Sequence, residues 1–598
     1  MSHPSFIPTR DPRVRAVLET ELARAAKTRG LRPLLRHEPD LWPRFAGYYQ
    51  HLCHLPRRVR RSLQRQWRRS LSAIALLLAL GQAPALAATL PVAPGIPPDI
   101  NNDGLCALIE AIENANADAA THDDCLAGSG ADTIRLPAGS TQSLTAVHPN
   151  TTYGETGLPD ITSTITIEGK GSTIAREASA PEFRILAVGT AGDLTLNQTT
   201  VSGGAAIFCC GYGARGGGVA NYGGTLTLTH STVSGNSAAI RGGGVANEYG
   251  VLTVTNSTVS GNTAFIVGSG IGGGVFNDGT LTLTHSTVSG NSAGDEGGGL
   301  HNRGTLTLTN STVSGNSAIF SGGGVRNPRY SGSSLTNSTV SGNTAGAGGG
   351  LDNGGTLTLT NSTVSGNSAI FSGGGVKNGT YYGYGTLTLT RTLVSGNTGS
   401  TGPEILHSGR TVAANNHNLF GHDGDAGVSG FTPGLTDIVP SEALSTILAP
   451  LADNGGPTQT HALVAGSPAV DTSPVDSECQ PVDQRGVSRP KGAACDIGAF
   501  EQGPPLRCQG KIVRILGTIG HDNLIGTPGP DVLHGLGGRD VIHGLAGNDS
   551  LCGGTHRDNL FGGRGADRLD GGGQTDNCNG GAGTADAAVN CETMSGVP

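Results

Sequence analysis

Residues 279–291 read Gly279-Thr280-Leu281-Thr282-Leu283-Thr284-His285-Ser286-Thr287-Val288-Ser289-Gly290-Asn291. Leucine and threonine alternate with the two-residue period of a strand, so the leucines share one face and the threonines the other. The phrase returns along the chain: Gly-Thr-Leu-Thr-Leu-Thr also stands at 224–229, 304–309, 355–360 and 385–390. Ser-Thr-Val-Ser-Gly-Asn, or a near copy, follows with its valine at Val233, Val259, Val288, Val313, Val340, Val364 and Val394. A third element, Gly-Gly-Gly-Val-x-Asn in its common form, places Asn221, Asn247, Asn277, Asn302, Asn327, Asn353 and Asn378 at spacings of 26, 30, 25, 25, 26 and 25 residues. Self-similarity at this period marks a solenoid.

The expected unit is a coil of about 25 residues with three short strands, and stacking at the roughly 4.8 Å strand spacing sets like residues above like. Leu226, Leu281, Leu306 and Leu357 then form an interior column, the valines another, and the asparagines ladders at the turns. The pattern predicts an all-β, right-handed parallel β-helix. A propeller would need blades of about 40 residues with aromatic signatures. Composition agrees: 98 of 598 residues are glycine, 4% are aromatic and 14% charged, which suits thin coils with small aliphatic cores. A net charge of -8 gives no basic face for nucleic acid. Outward threonines such as Thr280, Thr282 and Thr284 would also make flat arrays, so a solenoid that binds ice or another crystalline surface is one alternative. Threonine's preference for strands explains the same residues.

The amino terminus reads as an export signal. Arg57, Arg58, Arg60, Arg61, Arg65, Arg68 and Arg69 precede an apolar run from Leu71 to Leu80 that ends at Ala85-Leu86-Ala87, a small-x-small cleavage pattern. The run falls short of the about 20 residues that span a bilayer, so cleavage near Ala87 and no membrane span in the mature chain are expected. Ten of the eleven cysteines follow it, and Cys106–Cys125, Cys479–Cys495 and Cys578–Cys591 are expected as local disulfides of an oxidising compartment.

Two regions flank the coils. Cys106-Ala107-Leu108-Ile109-Glu110-Ala111-Ile112 has the spacing of a short amphipathic helix and resembles the CSLREAI motif at the start of secreted bacterial β-helix proteins, with departures at Ala107 and Ile109. Such a helix would cover the open edge of the first coil. Farther on stand Leu451-Ala452-Asp453-Asn454-Gly455-Gly456-Pro457-Thr458-Gln459-Thr460-His461, Gly466-Ser467-Pro468-Ala469-Val470-Asp471, Asp483-Gln484-Arg485-Gly486 and Cys495-Asp496-Ile497-Gly498-Ala499-Phe500-Glu501. These four ordered pieces resemble the choice-of-anchor Q region of bacterial surface proteins, and the coils resemble polymorphic outer membrane protein repeats. The resemblances imply a surface or secreted protein.

From residue 517 the period becomes nine. Asp522, Asp531, Asp540, Asp549, Asp558, Asp567 and Asp576 are in register, and Leu524, Leu533, Ile542, Leu551, Leu560 and Leu569 follow their aspartates by two. This matches the G-G-x-G-x-D-x-U-x nonapeptide and resembles RTX proteins. A hard cation, Ca2+, is expected to be held by carboxylate and carbonyl oxygens in a two-sided parallel β-roll. Asp522, Asp540, Asp558 and Asp576 would lie on one side, and Asp531, Asp549 and Asp567 on the other. His556 and Gln574 stand where a glycine belongs, which puts the neighbouring sites in doubt.

The expected domains are an extended amino-terminal region with the signal (1–87), a cap (88–125), the β-helix (126–435), the choice-of-anchor Q-like region (436–505) and the roll (506–598). Parallel β-helices host pectate-lyase-like enzymes, but uronate cleavage needs clustered carboxylates and a basic residue placed to take a proton. Residues 200–400 hold twelve charged side chains. The best set is Arg326, Asp352 and Lys377, which precede ladder asparagines in consecutive coils and read more simply as a solvated charge ladder. Asp295-Glu296 has no obvious basic partner. The reading is a non-enzymatic surface-associated or secreted protein, acting as a spacer or as an adhesin for a glycan or protein of a cell surface or matrix. A polysaccharide lyase is the enzymatic alternative.

Overall fold

The structure is a computed structural model that describes residues 87–149, 151–207, 211–379, 383–503, 507–518, 520–583 and 585–597. The basic and apolar runs of the signal, Cys53 and Cys209-Cys210 lie outside them. The chain forms two compact units, residues 1–264 with 278–280, and residues 265–277 with 281–598. No helix among the described residues is long and apolar enough to cross a membrane.

In the first unit every strand pairing is parallel and joins one coil to the next. Leu226 lies between Leu194 and Leu252, and Val233 between Val201 and Val259. All six are buried. Parallel strands joined coil to coil wind right-handedly because right-twisted strands close back on themselves only that way. The helix Leu108–Ala117 presents Leu108, Ile109, Ala111 and Ile112 inward and lies against the strands Asp132–Arg135 and Thr164–Arg176. Glu110 accepts the backbone N–H of Ala107 at 2.9 Å, closing the first turn. Cys106 and Cys125 are joined in a disulfide beside it.

The second unit repeats the plan. One face carries Thr305–Thr309 and Thr312–Ser314 and their copies, bent at a left-handed residue such as His285 or Asn310. Another carries Val325–Asn327 and its copies, and a third the two-residue strand Ser317–Ala318 and its copies. The interior column holding Leu306 is interrupted: its partner on the following coil is Ser333, and Leu357 comes one coil later.

Two asparagine ladders run through the coils. The expected one passes from Asn277 through Asn302, Asn327 and Asn353 to Asn378, each Nδ2 donating to the next Oδ1 at 2.6–3.1 Å. The second uses the asparagine of Ser-Thr-Val-Ser-Gly-Asn, from Asn291 through Asn316, Asn343 and Asn367 to Asn397. Each Oδ1 of that ladder also accepts the backbone N–H of the asparagine before it. Asn310, Asn337 and Asn361, which open the Asn-Ser-Thr copies, belong to neither ladder and sit at left-handed turns.

The second ladder ends on Glu404, which accepts Asn397 Nδ2 at 2.5 Å and Gly396 N–H at 2.8 Å. Burial raises the Glu404 carboxyl to about 7, against the lowering pull of those bonds. A raised carboxyl stabilises the fold when protonated. Its contribution should be complete below about pH 4.5 and lost as pH rises through 7, up to about 3 kcal/mol at about 1.4 kcal/mol per pH unit. Glu404→Gln keeps an acceptor for Asn397, so it should flatten this part of the pH dependence of urea melts; an unchanged profile would dismiss Glu404 as its source.

The four ordered pieces after the coils meet in one buried network. Arg489 and Glu501, both fully buried, pair at 3.2 Å, and Arg485 binds Asp483 at 2.7 Å and lies over the Phe500 ring. Gln484 donates to Thr312 at 2.8 Å and accepts from Thr339 at 2.7 Å, while Ala499 N–H donates to Thr363. These threonines of the Ser-Thr-Val strands are thereby buried, while Thr305 and Thr307 of the neighbouring Thr-Leu-Thr-Leu-Thr strand keep exposure to solvent. Arg391, also buried, pairs with Asp476 at 2.6 Å, and Cys479–Cys495 closes the segment.

Candidate calcium-binding roll

Residues 515–595 form two five-stranded parallel sheets, each strand pairing with the one 16–19 residues away. Leu533, Ile542, Leu551, Leu560, Leu569 and Cys578 fill the thin core between them. The aspartates divide between two sides as the period predicts. On one, the backbone N–H of Asp522 donates to Asp540 Oδ1, Asp540 to Asp558 and Asp558 to Asp576, each at 2.8 Å. On the other the chain runs from Asp531 through Asp549 and Asp567 to Asp586, at 2.8–2.9 Å.

The other carboxylate oxygen of each residue decides the chemistry. Oδ2 of Asp540, Asp549, Asp558, Asp567, Asp576 and Asp586 is buried with no hydrogen-bond partner. A buried acceptor without a donor costs about 1–3 kcal/mol. Each Oδ2 lies on the open side of its loop's first glycine together with a carbonyl oxygen. A Cβ added at Gly535 would collide with Asp540 Oδ2 and the Gly553 carbonyl, and one at Gly553 with Asp558 Oδ2 and the Gly571 carbonyl. Carboxylate and carbonyl oxygens converging without a donor are the ligand set of calcium. Desolvation and neighbouring carboxylates raise Asp540, Asp549, Asp558, Asp567 and Asp576, Asp549 and Asp558 to about 6, as expected of anions crowded together.

Not all seven positions are alike. Asp522 Oδ2 accepts from the N–H and hydroxyl of Thr518 at 2.6 and 3.0 Å, and Asp531 Oδ2 from those of Thr527 at 2.5 and 2.9 Å. These two carboxylates are satisfied without a cation. His556 and Gln574 keep φ of 85° and 78°, so they hold the loop shape of the glycines they replace, and Asp558 and Asp576 keep their unpartnered oxygens. Asp586 was outside the nine-residue register because one added residue in Gly583-Thr584-Ala585 moves it to ten. Glu592 closes the other side by accepting Asp576 N–H at 2.6 Å.

Two disulfides bracket the roll. Cys578–Cys591 is the expected pair, and Cys508–Cys552 spans 44 residues. A cross-link of that length stabilises by about 4 kcal/mol in the chain-entropy account, and metal binding here is coupled to folding. Reduction, or Cys508→Ser, should therefore raise the calcium needed for half-maximal folding by an order of magnitude or more, read by calcium titration with and without reductant; identical midpoints would remove the coupling.

The candidate catalytic set lies elsewhere in the second unit. His301, Arg326, Asp352 and Lys377 stack in register. Arg326 reaches Glu296 Oε2 at 3.0 Å and Asp352 Oδ1 at 3.2 Å, and Lys377 lies 3.5 Å from Asp352 Oδ2. Glu296 thus has the basic partner its sequence neighbours did not reveal, and Asp352, 2% exposed, is buried between two partly exposed cations.

Comparison with known proteins bears on the roll. The RTX calcium-binding nonapeptide repeat, four copies, matches residues 516–551 and 553–584. None of the curated proteins compared with the chain matches it. Among solved structures, a crystal structure of pectate lyase Pel9A is similar at 15% identity and a TM-score of 0.43, covering 70% of this chain and 98% of that one. A likeness that low adds nothing to the fold read from the strand pairings and carries no function. Residues 516–584 carry calcium-binding RTX repeats folded as a parallel β-roll.

Proposed function

We propose that the chain is an exported, non-enzymatic surface-associated or secreted protein whose β-helix serves as a spacer or adhesive face, with a carboxyl-terminal roll folded by calcium. The six buried, unpartnered aspartate oxygens carry this reading. They demand a divalent cation at the concentration found outside cells, because cytosolic calcium is too scarce for sites of this kind. Asp522, Asp531, Asp540, Asp549, Asp558, Asp567 and Asp576 are the proposed ligands from the nonapeptide register, with Asp586 added, and those from Asp540 onward bind most strongly. Four disulfides support an oxidising compartment, as do the signal, the CSLREAI-like helix and the choice-of-anchor Q-like segment. In that segment the shared residues have structural work, since they pin it to the coils.

Fractionation of producing cells tests the placement: the protein should be in the medium or open to protease on intact cells, with its disulfides formed. Recovery in the cytosol with free thiols would overturn it. Incubation with pectin or alginate should release no unsaturated products. Activity abolished by Lys377→Ala or Asp352→Ala would replace the adhesive reading with a lyase.

A further inference from the structure

On the second unit, the residue that follows the Ser-Ala strand alternates between large apolar and glycine from coil to coil, as Phe265, Gly294, Ile319, Gly346 and Ile370. Coils 316–327 and 367–378 carry Ile319-Phe320 and Ile370-Phe371, which stand 49%, 51%, 68% and 67% exposed. The coil between them has Gly346-Ala347 and is one residue shorter, so the strand Ser368–Ser372 bulges outward past it. Gly346 cannot carry a side chain, because a Cβ there would collide with the Phe320 and Ile319 carbonyls. The pattern extends one period back, where Phe265 and Val267 are exposed and Gly294 fills the next coil under the same constraint. Apolar ridges thus recur every second coil, roughly 9.6 Å apart at the spacing of paired strands. Monomeric proteins rarely leave such surface open without a use.

The groove between the last two ridges leads to polar chemistry. Its floor continues to Gly348, which lies against Asp352 Cβ. Asp352 belongs to the groove coil, Arg326 to one ridge coil and Lys377 to the other. Arg326 Nη1 and Asp352 Oδ1 pair at 3.2 Å and are buried, so the capacity for another partner lies with the partly exposed Lys377 and Glu296. With Glu296 and its neighbour Asp295, which also faces Arg326, the cluster has two cations and three anions.

We infer that this groove binds a neutral, β-1,4-linked pyranose polymer lying across the ridges. The inference rests on the adhesive reading and names its ligand class. The C–H faces of pyranose rings pack on the electron-rich faces of phenylalanine, while their hydroxyls both donate and accept, which suits a donor on Lys377 beside an acceptor on Glu296. A polyuronate would bring a charge the cluster does not complement. Each ring advances the chain by about one strand spacing, and in a β-1,4 chain every second ring presents the same face, as the ridges require.

The test uses the full chain in calcium, incubated with amorphous cellulose or colloidal chitin, with a polygalacturonate gel as the charged control, and measures depletion from solution. Retention on a neutral glycan is expected, weakened about tenfold by Phe320→Ser with Phe371→Ser, the size of an aromatic hot spot. Both side chains are exposed, so melting should not change. Lys377→Ala, which spares the ridges, should also weaken retention. No retention on either neutral glycan, or equal retention by the double variant, overturns the inference. So does wild-type self-association that sedimentation shows to be lost in the double variant. Adherence to some other surface without neutral-glycan binding would sink this inference and leave the adhesive reading standing.

Discussion

Calcium at roughly 0.1–1 mM, the range of extracellular sites, is expected to convert residues 506–598 of chelator-treated protein from a protease-sensitive chain into a resistant roll. Six buried carboxylate oxygens have no donor. At about 1–3 kcal/mol each, their cost matches the whole stability of an ordinary domain, about 5–15 kcal/mol. Against it stands a core of one apolar residue per strand. Aspartates on adjacent coils, two repeats apart, also repel, and that repulsion helps to raise Asp549 and Asp558 to about 6. A divalent ion reverses both terms at once. Protons compete for the same oxygens, so the calcium requirement should climb as pH falls through 6.

The roll's ends should respond differently. Asp558→Asn removes a mid-ladder oxygen and should shift the calcium midpoint by about tenfold or more, a loss of one charged ligand being worth about 1.5–3 kcal/mol. Asp522→Asn should shift it far less, because Thr518 already satisfies that carboxylate. Circular dichroism and proteolysis with no calcium response would remove the roll as a metal-folded unit. Equal shifts from both variants would mean that the threonine bonds give way to the ion.

Periods were legible in the sequence and distances across them were not. The alternation in Thr-Leu-Thr-Leu-Thr and the nine-residue spacing gave the coil, the roll and the two sides of the aspartates, because backbone geometry ties residue spacing directly to facing. The Ser-Ala face went unseen, since two residues show no period. Asp586 was lost to one inserted residue, although Gly580-Gly581-Ala582-Gly583 before it repeats the loop's glycine pattern. Cys508–Cys552 joins residues too far apart to be read as local. The choice-of-anchor Q-like pieces announced their order but not their use: Gln484 meets Thr312 across 172 residues. Nor could spacing show that Glu296 reaches over the next coil to Arg326. Burial of Asp352 follows from that stacking, while Arg326 and Lys377 stay partly exposed as a solvated ladder has them.

Leu306→Asp should cost the β-helix several kcal/mol, while Thr307→Asp beside it costs almost nothing. Leu306 is 1% exposed, between the strand that carries Leu281 on one side and Ser333 on the other. Truncating a buried leucine alone costs about 2–5 kcal/mol, and an unpaired carboxylate adds its desolvation, again several kcal/mol, unless it takes up a proton. Ser333 offers little rescue: its hydroxyl donates to Asn327 Oδ1 at 2.9 Å and lies 3.2 Å from Asn302 Nδ2. Diverting it would open the asparagine ladder. Thr307 points outward and is half-exposed, so a charge there meets water and should change stability by no more than about 0.5 kcal/mol. Paired urea melts of the full chain in calcium read the difference. Equal losses would mean that inside and outside have been exchanged by a one-residue slip, which would turn every leucine of this face toward solvent. A silent Leu306→Asp would mean that the coil holding it is not packed, and the β-helix would lose its interior column at the point where Ser333 already thins it.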